Sequence, residues 1–361
     1  MKKHILSLAL LSSCATSAFA QSSVTLYGVV DASIVYTSNQ KGHSAWEAVS
    51  GNESGSRWGM LGSEDLGGGS KAIFRLENGF NLFSGKLAQG GREFGRQAYV
   101  GMSNKDLGTV TLGRQYNAEQ DYLAPIQIGY SLTAYSLHPY DTDALNSTFR
   151  TNNMAKYVSP TVAGLQVTTT YAFSNSTDFA GNRSWSVGAK YAHGPLSAAA
   201  AYVMLDHPGS DTAGAVASDN YYPSSFIHNV IRQQIWGAGT TYTIGNATVG
   251  LLYTNTVFSL TGGTERFQNI DGGLRYQVTP TVTATVEETY TLVGSTASAP
   301  RSSHYWQTNA GVQYFLSKST DVYLNGIYQR ASGVVAFITS ATAASSNQSQ
   351  VVAVAGIRHK F

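Results

Sequence analysis

The chain has 361 residues, of which only 12% are charged while Gly (37) and Tyr (22) are abundant; ordinary soluble domains carry about 25% charged residues. Its formal net charge of +2 is the contribution of Lys2 and Lys3 alone, so the remainder is neutral. With no basic excess to neutralise phosphates, nucleic acid is not a favoured partner.

At the N-terminus, Lys2 and Lys3 form a basic region, Ile5 to Leu11 a short apolar core, and Ala18-Phe19-Ala20 a small-x-small cleavage site. This pattern predicts a signal peptide over 1–20 and a single mature domain over 21–361. Leu11-Ser12-Ser13-Cys14 also fits a lipoprotein site that would lipidate Cys14, at the expense of a very short apolar core. Cys14 is the sole cysteine, so the expected mature chain has no disulfide to staple it. No later apolar run approaches the roughly 18 to 20 residues of a membrane-spanning helix. A weakly charged exported chain can still live in a membrane as a closed β-barrel.

That architecture demands many alternating segments of about ten residues, and the chain supplies them in order. Val24, Leu26, Val30 and Ala32 alternate with Thr25, Tyr27, Asp31 and Ser33; Leu165, Val167, Tyr171 and Phe173 alternate with Gln166, Thr168 and Thr170. Trp185, Val187, Ala189 and Tyr191 alternate with Ser186, Gly188 and Lys190. Farther along, Ile270, Leu274, Tyr276 and Val278 alternate with Asn269, Asp271, Arg275 and Gln277. The period is two throughout, and no long helix is predicted. Sixteen strands are predicted, near 23–37, 55–65, 69–83, 93–104, 106–116, 150–159, 163–174, 182–194, 195–206, 232–244, 246–258, 265–278, 280–294, 302–316, 319–331 and 349–361. Tight turns such as 64–69, 104–107, 159–162 and 193–195 are rich in Gly, Pro, Asn and Asp. They alternate with longer polar connections, including 38–54, 117–149, 207–231 and 332–348.

The prediction is an all-β, sixteen-stranded antiparallel transmembrane barrel, apolar toward lipid and polar toward a wet lumen too wide for side chains to fill. Tyr157, Tyr191, Tyr276, Tyr314 and Phe361 are expected at the membrane boundaries. Most aromatics have outward parity, with Tyr27 and Tyr323 the main exceptions. A substrate-dedicated channel, an adhesin or receptor barrel, and a soluble β-sandwich are the competing readings. Enzymatic chemistry is not expected. The histidines (His4, His43, His138, His193, His207, His228, His304 and His359) are scattered, with no Gly-x-Ser-x-Gly and no His-x-x-x-His. Neither a metal nor a cofactor is expected. Gly67-Gly68-Gly69-Ser70 lies in a turn before a strand and is no phosphate loop.

Several blocks are more specific: "VTLYGVVDASIVY", "GSRWGMLGSEDLGGGSKAIFRLENGFN", "FGRQAYVGMSN", "GTVTLGRQY", "DGGLRYQVTPTVT" and the final "GIRHKF". Together they resemble the Gram-negative general porins, in particular the beta-proteobacterial outer-membrane porins of the Burkholderia, Bordetella and Comamonas type. The resemblance implies a homotrimer of outer-membrane barrels among lipids and lipopolysaccharide, passing small hydrophilic solutes and ions by passive diffusion. It also implies a third loop folded into each pore and a terminal Phe361 read by the barrel-assembly machinery.

On that resemblance, acidic groups of the third loop, here Glu119, Asp121, Asp141 and Asp143 within 117–149, face arginines on the wall, here Arg57, Arg96 and Arg150. Parity supports Arg57, opposite Trp58 and Met60, and Arg150, which shares a face with Asn152 and Lys156. For Arg96 parity is ambiguous: Gln97 and Tyr99 would be the outward set, while Ala98 and Val100 fit either face. The resemblance places Arg96 inward. Arg75 and Lys156 are further lumenal cations, with Glu77 sharing the face of Arg75. Anion preference is the leaning, although four loop carboxylates could reverse it. Arg114 shares the outward parity of Val110 and Leu112 and is expected in a trimer contact, with local pairing at the rim as the alternative.

Overall fold

The computed structural model describes residues 22–146, 149–219, 229–294 and 303–361; the expected signal peptide and Cys14 lie outside them. Their seventeen strands form one antiparallel sheet: β1 (Ser23–Gln40), β2 (His43–Ser50), β3 (Arg57–Gly67), β4 (Ser70–Gly79), β5 (Gln97–Asn104), β6 (Gly108–Gln115), β7 (Thr151–Val158), β8 (Leu165–Ala172), β9 (Ser184–His193), β10 (Leu196–Asp206), β11 (Val230–Ile244), β12 (Ala247–Leu260), β13 (Gly263–Thr279), β14 (Val282–Val293), β15 (His304–Phe315), β16 (Thr320–Ser332) and β17 (Ser349–Lys360). Each pairs with its sequence neighbour, except that β2 and β3 follow one another along the same edge of β1: Ser50 opposes Ala32, and Arg57 opposes Val29. These two are halves of one broken stave, and the barrel has sixteen staves.

The ring closes where β1 meets β17, from Val29 opposite Lys360 to Thr37 opposite Val352. The last residue seals the seam: Phe361 and Gly28 exchange backbone hydrogen bonds of 2.9 and 3.1 Å. A Cβ at Gly28 would lie 2.2 Å from the Phe361 ring, so only glycine leaves room for that aromatic lid.

The alternation holds. Leu26, Val100, Leu251 and Leu324 are exposed on the outer face, where a barrel meets acyl chains, as are Tyr157, Tyr191, Tyr276, Tyr314 and Phe361. Asp31, Thr170, Asn269, Asp271, Gln307 and Asn309 have the opposite parity and lie beneath loops on the inner wall. Tyr27 and Tyr323 do point inward. Each lies over a cross-strand glycine, Gly59 or Gly356, and donates to a carboxylate, Glu77 at 2.7 Å or Asp31 at 2.6 Å.

Two expectations about connections change. The stretch 38–54 is mostly strand: β1 runs to Gln40 and β2 returns from His43 through a two-residue turn, Lys41 (φ 53) and Gly42 (φ 98). Positive φ at both positions matches the twist of the flanking strands. The inner wall, moreover, is not uniformly polar. Ala199, Ala201 and Leu252 face inward and pack against Ala118, Tyr122, Leu123 and Ile126 of the third loop. The apolar bed exists because the loop covers it.

Candidate functional site

The third loop lies inside the barrel. It opens with the short helix α1 (Ala118–Tyr122) and continues through single 3₁₀ turns as far as Asp141. Between this loop and the wall of β3 to β5 is a cavity of about 810 Å³, lined among others by Arg57, Arg75, Arg96, Tyr116, Arg150 and Tyr130.

On the wall, four arginines gather around one buried carboxylate and two phenols. Glu77 Oε1 accepts from Arg96 Nε at 2.8 Å, and Oε2 accepts from Arg75 Nη2 at 2.8 Å and from the Tyr27 hydroxyl at 2.7 Å. Arg57 Nε stands 3.8 Å from the same Oε2. The Tyr116 oxygen accepts from Arg150 Nη2 at 2.9 Å and from Arg96 Nη2 at 3.2 Å, and the Arg150 guanidinium lies 5.1 Å from the Tyr116 ring centre. Glu77 thus offsets part of the positive charge of the whole cluster rather than that of Arg75 alone. One carboxylate cannot neutralise four guanidinium groups, so the wall keeps a positive surplus facing water.

Arg96 arrives by a route that parity does not describe. Val100 and Met102 are exposed on the outer face, while Gln97 lines the cavity, the reverse of the outward set read from the sequence. β5 begins only at Gln97, and Arg96, just before it, turns back onto Glu77, with its backbone NH on Glu77 O at 3.1 Å. Strand alternation ends where the strand ends.

The acidic expectation for the third loop needs correction. Of its four carboxylates only Asp121 borders the cavity, and it is ion-paired with Lys156. Lys156 also donates to Tyr116 O at 3.1 Å, so it ties α1 to β7 and does not line the cavity. Glu119 is buried beneath α1, and that burial pushes its carboxyl up to about 8. Asp141 is buried and accepts from the backbone NH of Asn146 at 2.9 Å.

Asp143 is held away from the arginines by a histidine. His138 Nδ1 lies 2.5 Å from Asp143 Oδ2, and His138 Nε2 lies 2.7 Å from Asp271 Oδ2 on β13, with His138 and Asp143 wholly buried. Thr254 and Asn269 also donate to Asp143, at 2.6 and 3.3 Å. Burial alone would depress the imidazole, but Asp143 and Asp271 outweigh it and hold His138 well above its ordinary value. Two carboxylate oxygens against both ring nitrogens require both to carry a proton. The far half of the loop is further fixed by the Gly129 NH on Glu287 at 2.8 Å and by Asn309 on Ser136 O at 2.9 Å.

Arg114 has the predicted outward parity but finds its cover in its own chain. It is 8% exposed and donates to Gly95 O at 2.8 Å, to Arg150 O at 3.4 Å and to the Asn152 side chain. The segment 207–219 lies over this rim through Asn152 NH on Ala215 O at 2.8 Å and the Arg92–Asp219 ion pair at 2.7 Å. Within the chain, these acceptors at the rim satisfy a charge that lipid would not.

The sequence reading missed a second charged group. The break in the second stave, 51–56, brings Glu53 into the cavity, where Arg358 Nη1 meets its Oε1 at 3.0 Å. Arg358 also holds Asp321 at 3.0 Å. The inward parity of Arg358 and Asp321, shared with Gly356 and Tyr323, was the available signal.

A sequence profile of Gram-negative porins matches residues 7–333. The chain belongs to the Gram-negative porin family. It is 34% identical over 292 residues to an outer membrane porin protein of Bordetella pertussis, a span of 73% of this chain and 71% of that one. It is 32% identical over 213 residues to outer membrane porin protein 32 of Delftia acidovorans, a span of 55% and 58%. Among solved structures, the anion-selective porin from Comamonas acidovorans matches with a TM-score of 0.78 at 23% identity, over 94% of this chain and 100% of that one. OmpT of Vibrio cholerae in its trimer form matches with a TM-score of 0.71 at 16% identity, over 94% and 99%. The last two establish the barrel fold. Family and fold together make this porin a diffusion channel of the Gram-negative outer membrane.

Proposed function

We propose that this porin passes small hydrophilic solutes and ions passively and favours anions, with Arg57, Arg75, Arg96 and Arg150 as the basic side of its constriction. The observation that carries the preference is the lining charge: five arginines against three carboxylates. Of those carboxylates, Glu77 accepts from two arginines and a tyrosine, and Asp121 is ion-paired with Lys156. A permeating anion meets guanidinium donors that replace part of its hydration, while a cation meets a repulsive potential in a narrow gap.

The printed description of the Comamonas relative as anion-selective supports the same sign, and the trimer form of the Vibrio protein supports a homotrimer. The exposed ring of Phe361 at the seam supports its role as the signal read by the barrel-assembly machinery. In this reading lipid and lipopolysaccharide surround the trimer. Planar-bilayer recording tests the proposal: conductance should appear in groups of three equal steps, and a salt gradient should give a reversal potential of the anion-selective sign. A cation-selective sign refutes the preference, and single steps refute the trimer.

A further inference from the structure

The negative pole of this pore does not come from the third loop. Asp121 is the one charged residue the described part of that loop sends to the cavity, and Lys156 pairs with it. The wall itself supplies an acidic group, made by interrupting a strand.

Segment 51–56 is folded inward by Asp31 on β1. The Asp31 carboxylate oxygen Oδ2 accepts the backbone NH groups of Glu53 and Ser54 at 2.8 and 2.7 Å, and Asp31 O accepts the NH of Gly51 at 2.9 Å. Gly51 has φ +78, and a Cβ there would lie 2.8 Å from Gly55, so the turn needs glycine at that position. The side chain of Asn52 donates to Ser33 Oγ at 2.6 Å, and its carbonyl accepts from Ala134 of the third loop at 2.7 Å. A built turn therefore presents Glu53 to the cavity.

The surroundings of Glu53 are rich in carboxylate. Its Oε1 accepts from Arg358 Nη1 at 3.0 Å and from Gln313 Nε2 at 2.7 Å, while its buried Oε2 has no hydrogen-bond partner. The guanidinium of Arg358 is shared with Asp321, through Nε at 3.1 Å and Nη2 at 3.0 Å. Asp31, Glu53 and Asp321 thus surround Arg358, with Lys360 farther along β17, which leaves one carboxylate in excess on the arc formed by β1, β16 and β17. The next arc, from β3 to the start of β7, holds the four arginines with Glu77. The two are joined by Arg57, whose Nη1 donates to Gly55 O at 2.9 Å.

We propose that Glu53, carried inward by the break in the second stave, is the carboxylate that sets how strongly this porin discriminates between anions and cations. Two opposite charge surpluses on adjacent arcs give a field that runs along the wall, so anions follow the arginine arc and Glu53 gives cations a competing path. The inference deepens the channel reading above and rests on it. Burial pushes the Glu53 carboxyl up to about 8 against the opposing pull of Arg358, so above that pH Glu53→Gln removes a cavity-facing negative charge and should strengthen anion preference.

The experiment compares reversal potentials in a potassium chloride gradient at pH 9, where Glu53 is ionised, for the wild type, Glu53→Gln, Glu53→Asp and Asp121→Asn. Glu53→Gln should raise the anion-to-cation permeability ratio by about twofold or more, as expected for one charge at a narrow filter. Glu53→Asp, which keeps the charge, should remain near the wild type, and Asp121→Asn should move the ratio less than Glu53→Gln. Asp321→Asn takes a charge from the same cluster without altering 51–56; it should shift the ratio in the same direction and serves as the test if Glu53→Gln fails to insert. An unchanged ratio in Glu53→Gln, or a larger shift in Asp121→Asn, overturns the inference while leaving the channel reading intact. Absence of conductance from the wild type overturns the channel reading itself.

Discussion

The two halves of the third loop use charged residues in opposite ways. Around α1, Asp121 and the guanidinium groups of Arg57 and Arg96 border water in an open cavity, which Arg150 also lines with little exposure, while Glu119 is buried. Beyond Gln127 they are sealed: His138, Asp143 and Asp271 form a chain of contacts against β12 to β14 with almost no solvent access. A charge beside water acts on passing ions and contributes little to stability, because solvent screens it. A charge without water costs much to bury and is tolerated only with a partner, so it serves to fix one geometry. Conduction and attachment are therefore separable functions of one loop.

Substitution at the sealed end should have the largest effect. His138→Ala leaves Asp143 and Asp271 facing each other without a cation, and breaking a buried pair in this way typically costs about 3–5 kcal/mol. Thermal unfolding in detergent should shift markedly downward, and single-channel traces should become noisy as the loop detaches. A quiet, fully stable channel would show that the histidine does not fix the loop.

Alkaline pH should produce the same weakening to a lesser extent. His138 is held above its ordinary value of 6.5 in the folded state, so its contribution is complete below that ordinary value and is lost as pH rises through the raised folded value. The unfolding temperature of the wild type should fall on the alkaline side more steeply than that of His138→Asn, which has no imidazole to titrate. Parallel curves would show that the imidazole is not the titrating group.

The smallest effect is expected at the wet end. Asp121→Asn removes a partly exposed ion pair with Lys156 and should cost about 0–1 kcal/mol, with no loss of barrel assembly by gel mobility. A large loss would mean that α1 is anchored by this pair rather than by Ala118, Tyr122 and Leu123 on their apolar bed.

How far the sequence revealed this architecture depends on whether a residue lies in a strand. The staves were legible because alternation is local: Val24 to Ser33 or Ile270 to Gln277 shows its two faces without reference to any distant contact. Strand ends were less legible. Ala98 and Val100 are small or β-branched and fit either medium, so the alternation around Arg96 gave the wrong set, and the turn before Gln97 made the alternation irrelevant to Arg96. His43 to Ser50 reads as loop because its weak alternation hides a hairpin that continues above β3. The third loop was least legible, since nothing local to Asp141 or Asp143 shows that one is buried and the other meets a histidine paired with Asp271, 133 positions beyond that histidine. Glu53 went unnoticed for the same reason: its partner Arg358 lies at the other end of the chain and becomes a neighbour only when the barrel closes.

The separation of wet from sealed charges is tested most directly by the zero-current potential of Arg57→Gln/Arg150→Gln in a potassium chloride gradient. Because both guanidinium groups border the cavity, the double variant should move that potential toward the cation side of the wild type while the protein still inserts as a stable channel. An unmoved potential would contradict the assignment of selectivity to these wall arginines.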